Sequence, residues 1–211
     1  MSILNVLLSR EQMVVAVDTL AEDALTGVQS AGAKMLLIPQ HNLLLAARGS
    51  TQFFLRIYEL ALQASFRAEF TLEKLSTELG SVIDQLWPKY EEAVAEAGLS
   101  VERLGTEIVL GGWSPQQSRM VATAYLKNAD GRPATVQPIA GQLASPGEPL
   151  RGLTPSMAQA EILAAGRLQA SYLNAVEGRR VAGGRLLLGF LQKGQAVVKD
   201  LGPIGGSDAA G

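Results

Sequence analysis

The chain has 211 residues, no cysteine and one histidine, and its 18 basic against 20 acidic side chains give a formal net charge of −2. With 47% hydrophobic residues it suits one globular domain with a sizeable core. A disulfide framework, a cysteine nucleophile and a cysteine-built zinc site are excluded, a Ser-His-Asp triad would have to use His41, and the near-neutral charge argues against nucleic acid as the main partner.

The N-terminus, Met1 to Leu8, has no basic leader and only a short apolar run before Ser9-Arg10-Glu11-Gln12. No stretch approaches the roughly 18 apolar residues of a membrane span. The expectation is a soluble cytoplasmic protein. Ile3 to Leu8 and Met13 to Val17 are β-prone runs around a polar turn, which predicts a hairpin that ties down residue 2. Thr19 to Gly32 is polar and small and reads as a loop. Ala33 to Ile38 and Leu43 to Ala47 form a second pair of apolar runs around Pro39-Gln40-His41-Asn42, with His41 facing solvent in the turn.

The period then changes to 3.6 residues. Phe53, Phe54, Ile57, Leu60, Ala61 and Ala64 make one helical stripe. Leu72, Leu75, Leu79, Val82, Ile83, Leu86, Tyr90 and Val94 make another, with Pro88 as a kink or new start and Gly98 as the stop. Phe53, Phe54, Trp87 and Tyr90 are expected to fill the layer between helix and sheet rather than to form an interface. Thr106 to Trp113, Met120 to Leu126 and Thr135 to Ile139 read as strands, and Gln142 to Gly152 as a proline- and glycine-bearing loop. Thr154-Pro155 reads as an N-cap with proline at the first helical position, opening a helix from about Ser156 to Val176. Leu186 to Phe190 and Ala196 to Val198 close the chain as a hairpin, and residues 205–211 are expected to be a disordered tail after a single domain over residues 1–204.

Helices arriving in blocks exclude a TIM barrel and a regular Rossmann unit. No nucleotide-, zinc- or calcium-binding motif and no nucleophile elbow is present. Gly111-Gly112 and Gly183-Gly184 read as turns or as places where strands approach closely. No metal and no cofactor is called for.

Three residues carry the chemistry. Ser2 follows the initiator methionine. Its small side chain permits methionine removal, and an N-terminal hydroxyl residue can be its own nucleophile with its α-amine as base. That amine has an ordinary pKa of about 8, suited to general-base work near neutrality. Asp18 ends the second strand and Lys34 opens the third, and an Asp–Lys pair beside the hydroxyl would orient the proton path. On spacing alone, Asp18 could equally start a loop and Lys34 face solvent.

The chain resembles the proteasome β-subunit and bacterial HslV-type family of N-terminal-nucleophile hydrolases, mainly over residues 2–62. Asp18 and Lys34 lie 16 and 32 residues after Ser2, matching the family's spacing from its catalytic threonine. Val14-Val15-Ala16-Val17-Asp18 is similar to the family's strand end, and Ala33 to Ile38 to its lysine-bearing strand. Leu43 to Ala47 with Arg48-Gly49-Ser50 is similar to its apolar strand and glycine turn. Ile108 to Trp113 is similar to a later strand. The resemblance implies an α+β fold, the four-layer αββα sandwich. It also implies catalytic roles for Ser2, Asp18 and Lys34, with the Gly49 amide in the oxyanion hole. The implied activity is peptide or other amide hydrolysis by a homo-oligomer, a ring among its forms, with any ATPase partner left open. The chain departs from the family in carrying serine in place of threonine. It also has Ala144-Ser145-Pro146-Gly147 in place of a Ser-Gly-Ser motif, and no late aspartate near Glu177 to Gly184. A non-catalytic assembly subunit and a small-molecule amidase are the alternatives.

Overall fold

The structure is a computed structural model describing residues 2–205. Residue 1 and residues 206–211, most of the expected tail, lie outside it. In chain order come β1 (Leu4–Leu8), β2 (Gln12–Asp18), β3 (Leu20–Glu22), β4 (Gln29–Ala31), β5 (Met35–Ile38), β6 (Leu43–Gly49), α1 (Thr51–Ser65) and α2 (Leu72–Glu96). They are followed by β7 (Gly105–Ser114), β8 (Arg119–Asn128), β9 (Thr135–Pro138), β10 (Gln142–Ser145), α3 (Gln159–Glu177), β11 (Arg185–Gln192) and β12 (Gln195–Pro203).

Two five-stranded antiparallel sheets, ordered β10-β1-β2-β11-β12 and β5-β6-β7-β8-β9, pack face to face. Strand alternation sorts side chains into three stacked cores. In β2, Val15 and Val17 point to the other sheet, while Val14 and Ala16 point to α3. In β6, Leu44 and Ala46 face the first sheet, while Leu43, Leu45 and Ala47 face α1 and α2. The order of layers is α1 and α2, sheet, sheet, α3, which is the expected αββα sandwich. Because both sheets are covered on both faces, their central strands are continuous apolar runs rather than alternating ones.

Phe53, Phe54 and Trp87 are buried in the layer between the helices and the second sheet, as expected, with the Phe53 and Trp87 rings edge to face at 5.0 Å. Pro88 sits inside an unbroken α2, on its exposed side. Gly111 and Gly112 are within β7, where strands approach closely: a Cβ at Gly111 would enter the Met13 side chain from the facing sheet.

Four local expectations are corrected. The stretch from Thr19 to Gly32 is not simply loop, since β3 and β4 pair in a small separate hairpin. Gln142 to Gly152 contains β10, which completes the first sheet by pairing with β1. The third helix starts at Gln159 after Ala158, not at Thr154-Pro155. The Ser156 hydroxyl takes the Ala158 N–H in a local turn that delays the helix. His41 is half-buried rather than solvent-facing. Its Nε2 bonds the Ser65 carbonyl at 2.8 Å, at the end of α1, and its ring packs on Phe70.

Candidate active site

β1 and β2 form the predicted hairpin, with Leu4 opposite Val17. This register brings the start of the chain to the end of β2. Ile3 N–H donates to Asp18 Oδ1 at 3.0 Å. Asp18 stands opposite Leu186 of β11, and the turn before that strand supplies Gly183 N–H to Asp18 Oδ2 at 3.1 Å. Lys34 directly precedes β5, and its carbonyl accepts from Ala47 N–H at 2.8 Å, which anchors it to β6.

These anchors converge three side chains. Lys34 Nζ donates to Ser2 Oγ at 2.9 Å, to Asp18 Oδ1 at 2.9 Å and to the Leu20 carbonyl. Ser2, Asp18 and Lys34 are 5%, 0% and 4% exposed, so this is an interior cluster and not a surface ion pair. All three donors of the ammonium are used, and the Asp18 carboxylate accepts three hydrogen bonds. Burial pushes the Lys34 pKa below its ordinary value, while the Asp18 charge and hydrogen bond pull it back up. A serine hydroxyl held against a buried cation has its oxygen fixed and its anionic form favoured.

Gly49 makes none of the hydrogen bonds of this cluster. It is an exposed residue at the end of β6, opposite Thr106, with φ of 101°. Glycine is required there: a Cβ would run into the Gly105 carbonyl.

Other residues around the cluster were not singled out from the sequence. Asn174 of α3 accepts Val181 N–H at 2.7 Å and Ala182 N–H at 3.0 Å, and donates to the Ala182 carbonyl at 3.0 Å. It shapes the turn that presents Gly183 to Asp18. Buried Gln169 exchanges hydrogen bonds with Asn5 at 2.6 and 2.8 Å and donates to the Pro146 carbonyl at 2.8 Å, fixing the end of β10 beside β1. The readable sign for both was a polar side chain on the inner face of a helix. Among the described residues, no group of three or more His, Asp or Glu is placed to hold a metal ion, and no helix is long and apolar enough to cross a membrane.

The layers and the strand order define an α+β protein with the N-terminal-nucleophile-hydrolase-like fold. Among solved structures the chain is similar to an Anbu (ancestral β-subunit) from Yersinia bercovieri, with a TM-score of 0.66 at 14% identity over 96% of this chain and 87% of that one. It is also similar to Anbu from Hyphomicrobium sp. strain MC1, with a TM-score of 0.61 at 12% identity over 95% and 87%. A Gly-1 mutant of that protein gives 0.61 at 15% identity over 96% and 88%. No protein-family model and no curated protein matches the chain. At these identities the likeness establishes the fold.

Proposed function

We propose that the protein is an N-terminal-nucleophile hydrolase that cleaves peptide or other amide bonds with Ser2, once Met1 is removed. The observation that carries this reading is the buried hydrogen-bonded chain from Ser2 Oγ through Lys34 Nζ to Asp18. The freed α-amine of Ser2 takes the hydroxyl proton, directly or through a water. Oγ then attacks the amide carbonyl, the C–N bond breaks as the amine delivers the proton to the leaving nitrogen, and an ester to Ser2 forms. Water, deprotonated by the same amine, hydrolyses that ester. Lys34 stabilises charge on Oγ, Asp18 holds Lys34, and the Gly49 amide serves the oxyanion. Peptides are favoured over small amides by the likeness of the fold to a protein described as an ancestral β-subunit.

Intact mass combined with a β-lactone acylating probe tests this. Loss of Met1 and a single adduct on Ser2, absent in Ser2→Ala at unchanged folding, are expected. Retained Met1, or labelling that survives in S2A, overturns the mechanism.

One observation favours the assembly-subunit reading as a second role. Leu168, Tyr172 and Val176 are spaced by four residues along α3 and are 48%, 36% and 60% exposed. They form an apolar stripe on the outer layer, suited to contact with another copy. A folded protein that keeps Met1 and takes no probe, yet sediments as an oligomer, belongs to that reading.

A further inference from the structure

Glu107 is a charged side chain at the rim of the core between the two sheets. It lies in β7 two residues before Val109, which faces the first sheet, and its side chain is 12% exposed. Its Oε2 has two polar partners, an ion-pair partner from its own sheet and a hydrogen-bond donor from the facing one. Arg48 Nε, from β6 of the same sheet, lies at 3.0 Å. The Ser145 hydroxyl, from β10 of the facing sheet, donates at 2.8 Å.

The register gives this contact its meaning. Arg48 is paired with Glu107 and immediately precedes Gly49, which is paired with Thr106. Thr106 Oγ1 also donates to the Arg48 carbonyl at 3.3 Å. Ser145 is paired with Leu4, the first residue of β1, which follows Ser2 by two positions. The carboxylate therefore joins the strand end that carries Gly49 to β10, the neighbour of β1, the strand that starts two residues after Ser2. These residues sit on different sheets, and among the cited contacts of the cluster only Lys34 otherwise links the second sheet to Ser2. Between the sheets the contacts are mainly apolar. Two other polar ties, Asn42 Nδ2 to the Gln192 carbonyl at 2.7 Å and Met120 N–H to the Arg10 carbonyl at 2.8 Å, lie at the opposite strand ends, away from Ser2 and Gly49. Apolar packing fixes spacing less sharply than a directional ion-pair and hydroxyl contact does.

We propose that Glu107 is a positioning residue that sets the distance between the nucleophile on the first sheet and the Gly49 amide on the second. The inference rests on the hydrolase reading above. Glu107 touches none of the three residues of the Ser2–Lys34–Asp18 cluster and not the substrate, and it acts through Arg48 and Ser145. Acylation is steeply sensitive to such spacing, so loosening this tie slows the chemical step by about tenfold to a hundredfold. Binding of an acylating reagent, in which Glu107 takes no part, is left unchanged.

The experiment is saturation kinetics of Ser2 labelling by the β-lactone probe in the full chain, followed by intact mass and resolved into a binding constant and a maximal acylation rate. In Glu107→Gln and in Ser145→Ala the maximal rate is expected to fall at least tenfold, with the binding constant within about twofold of wild type. Since both variants cut the same tie, the double variant is expected within about twofold of the slower single one. Wild-type rates in both single variants overturn the inference, and so does a changed binding constant at an unchanged maximal rate. Should E107Q fail to fold, S145A decides, because it leaves the Glu107–Arg48 pair in place. A wild-type protein that never labels at Ser2 overturns the hydrolase reading and this inference with it. A wild type that labels alongside unaffected variants overturns this inference alone.

Discussion

Replacing Lys34 by methionine tests whether the buried cluster is an ion pair whose halves depend on each other. Methionine has a similar length and no donor, so Ser2 Oγ, Asp18 Oδ1 and the Leu20 carbonyl each lose a partner. Asp18 stays fully buried, with only Ile3 N–H and Gly183 N–H to hold its charge. Removing one partner of a buried pair costs about 3–5 kcal/mol. The two remaining amide donors place K34M near the lower end, about 3 kcal/mol. For a protein of this length that corresponds to a fall in Tm of about 6–12 °C. Asp18→Asn alone strands the lysine instead and loses a comparable amount. The double variant D18N/K34M carries no buried charge and recovers to within about 2 kcal/mol of wild type. Thermal and urea melts at pH 7 and one fixed protein concentration provide the measurement. The reasoning fails if K34M melts with the wild type, or if the double variant loses the sum of the two single losses.

The same pair gives a pH dependence. Burial holds the Lys34 pKa below its ordinary 10.5, so just below that pH the unfolded chain carries a proton that the native one lacks. Stability contributed by this site therefore rises with pH through the folded pKa toward 10.5 and is flat below it, where both states are protonated. Urea midpoints across alkaline pH are expected to climb more steeply in wild type than in D18N/K34M, and parallel curves would refute the shift. Asn174→Ala leaves the buried Val181 and Ala182 amides without their acceptor, for an expected loss of about 2–4 kcal/mol in urea melts. It also slows Ser2 labelling, because the turn that presents Gly183 loosens. Gly189→Ala puts a Cβ within 2.6 Å of Met35 Sδ and against Leu44 in the facing sheet, so it overpacks the sandwich by about 1–3 kcal/mol. A crystal structure of G189A with the sheets unmoved and a melt unchanged from wild type would contradict that close approach.

Strands that are covered on both sides were the most readable part of the fold. Val14 to Val17 and Leu43 to Ala47 are uninterrupted apolar runs because one face meets a helix and the other meets a sheet. β3 and β4 left no such trace. Their pattern is mostly exposed, and Gln29-Ser30-Ala31 has no strand preference. They pair where the chain turns back between Asp18 and Lys34, and the pairing satisfies backbone groups that the two large sheets do not reach. β10 was hidden for a different reason. Its partner β1 lies about 140 residues earlier, so its backbone hydrogen bonds are set by the tertiary fold and not by the local Leu-Ala-Ser-Pro sequence. In α3 the Thr154-Pro155 signal did not mark the helix start, because the Ser156 hydroxyl offered the chain a competing local bond and the helix begins only at Gln159.

The site divides along the same line. Ser2, Asp18 and Lys34 lie at or just before strand ends, where spacing alone leaves Asp18 free to start a loop and Lys34 to face solvent, so it was the resemblance to a family spacing that implied their convergence. Glu107 was open to view and yet unreadable. In Thr106-Glu107-Ile108-Val109-Leu110 a single charge interrupts a strand that is apolar on both faces. Without knowing which face is sealed, that charge reads as a solvated strand end. Once the facing sheet is in place, the same residue is a carboxylate at a nearly closed rim. Ionised carboxylates at such positions are kept only with partners. The partners, Arg48 and Ser145, lie 59 and 38 residues away in sequence and on different sheets. A buried charge whose partners come from both halves of a sandwich constrains how those halves sit against each other. Here the two halves are the ones that carry Ser2 and Gly49.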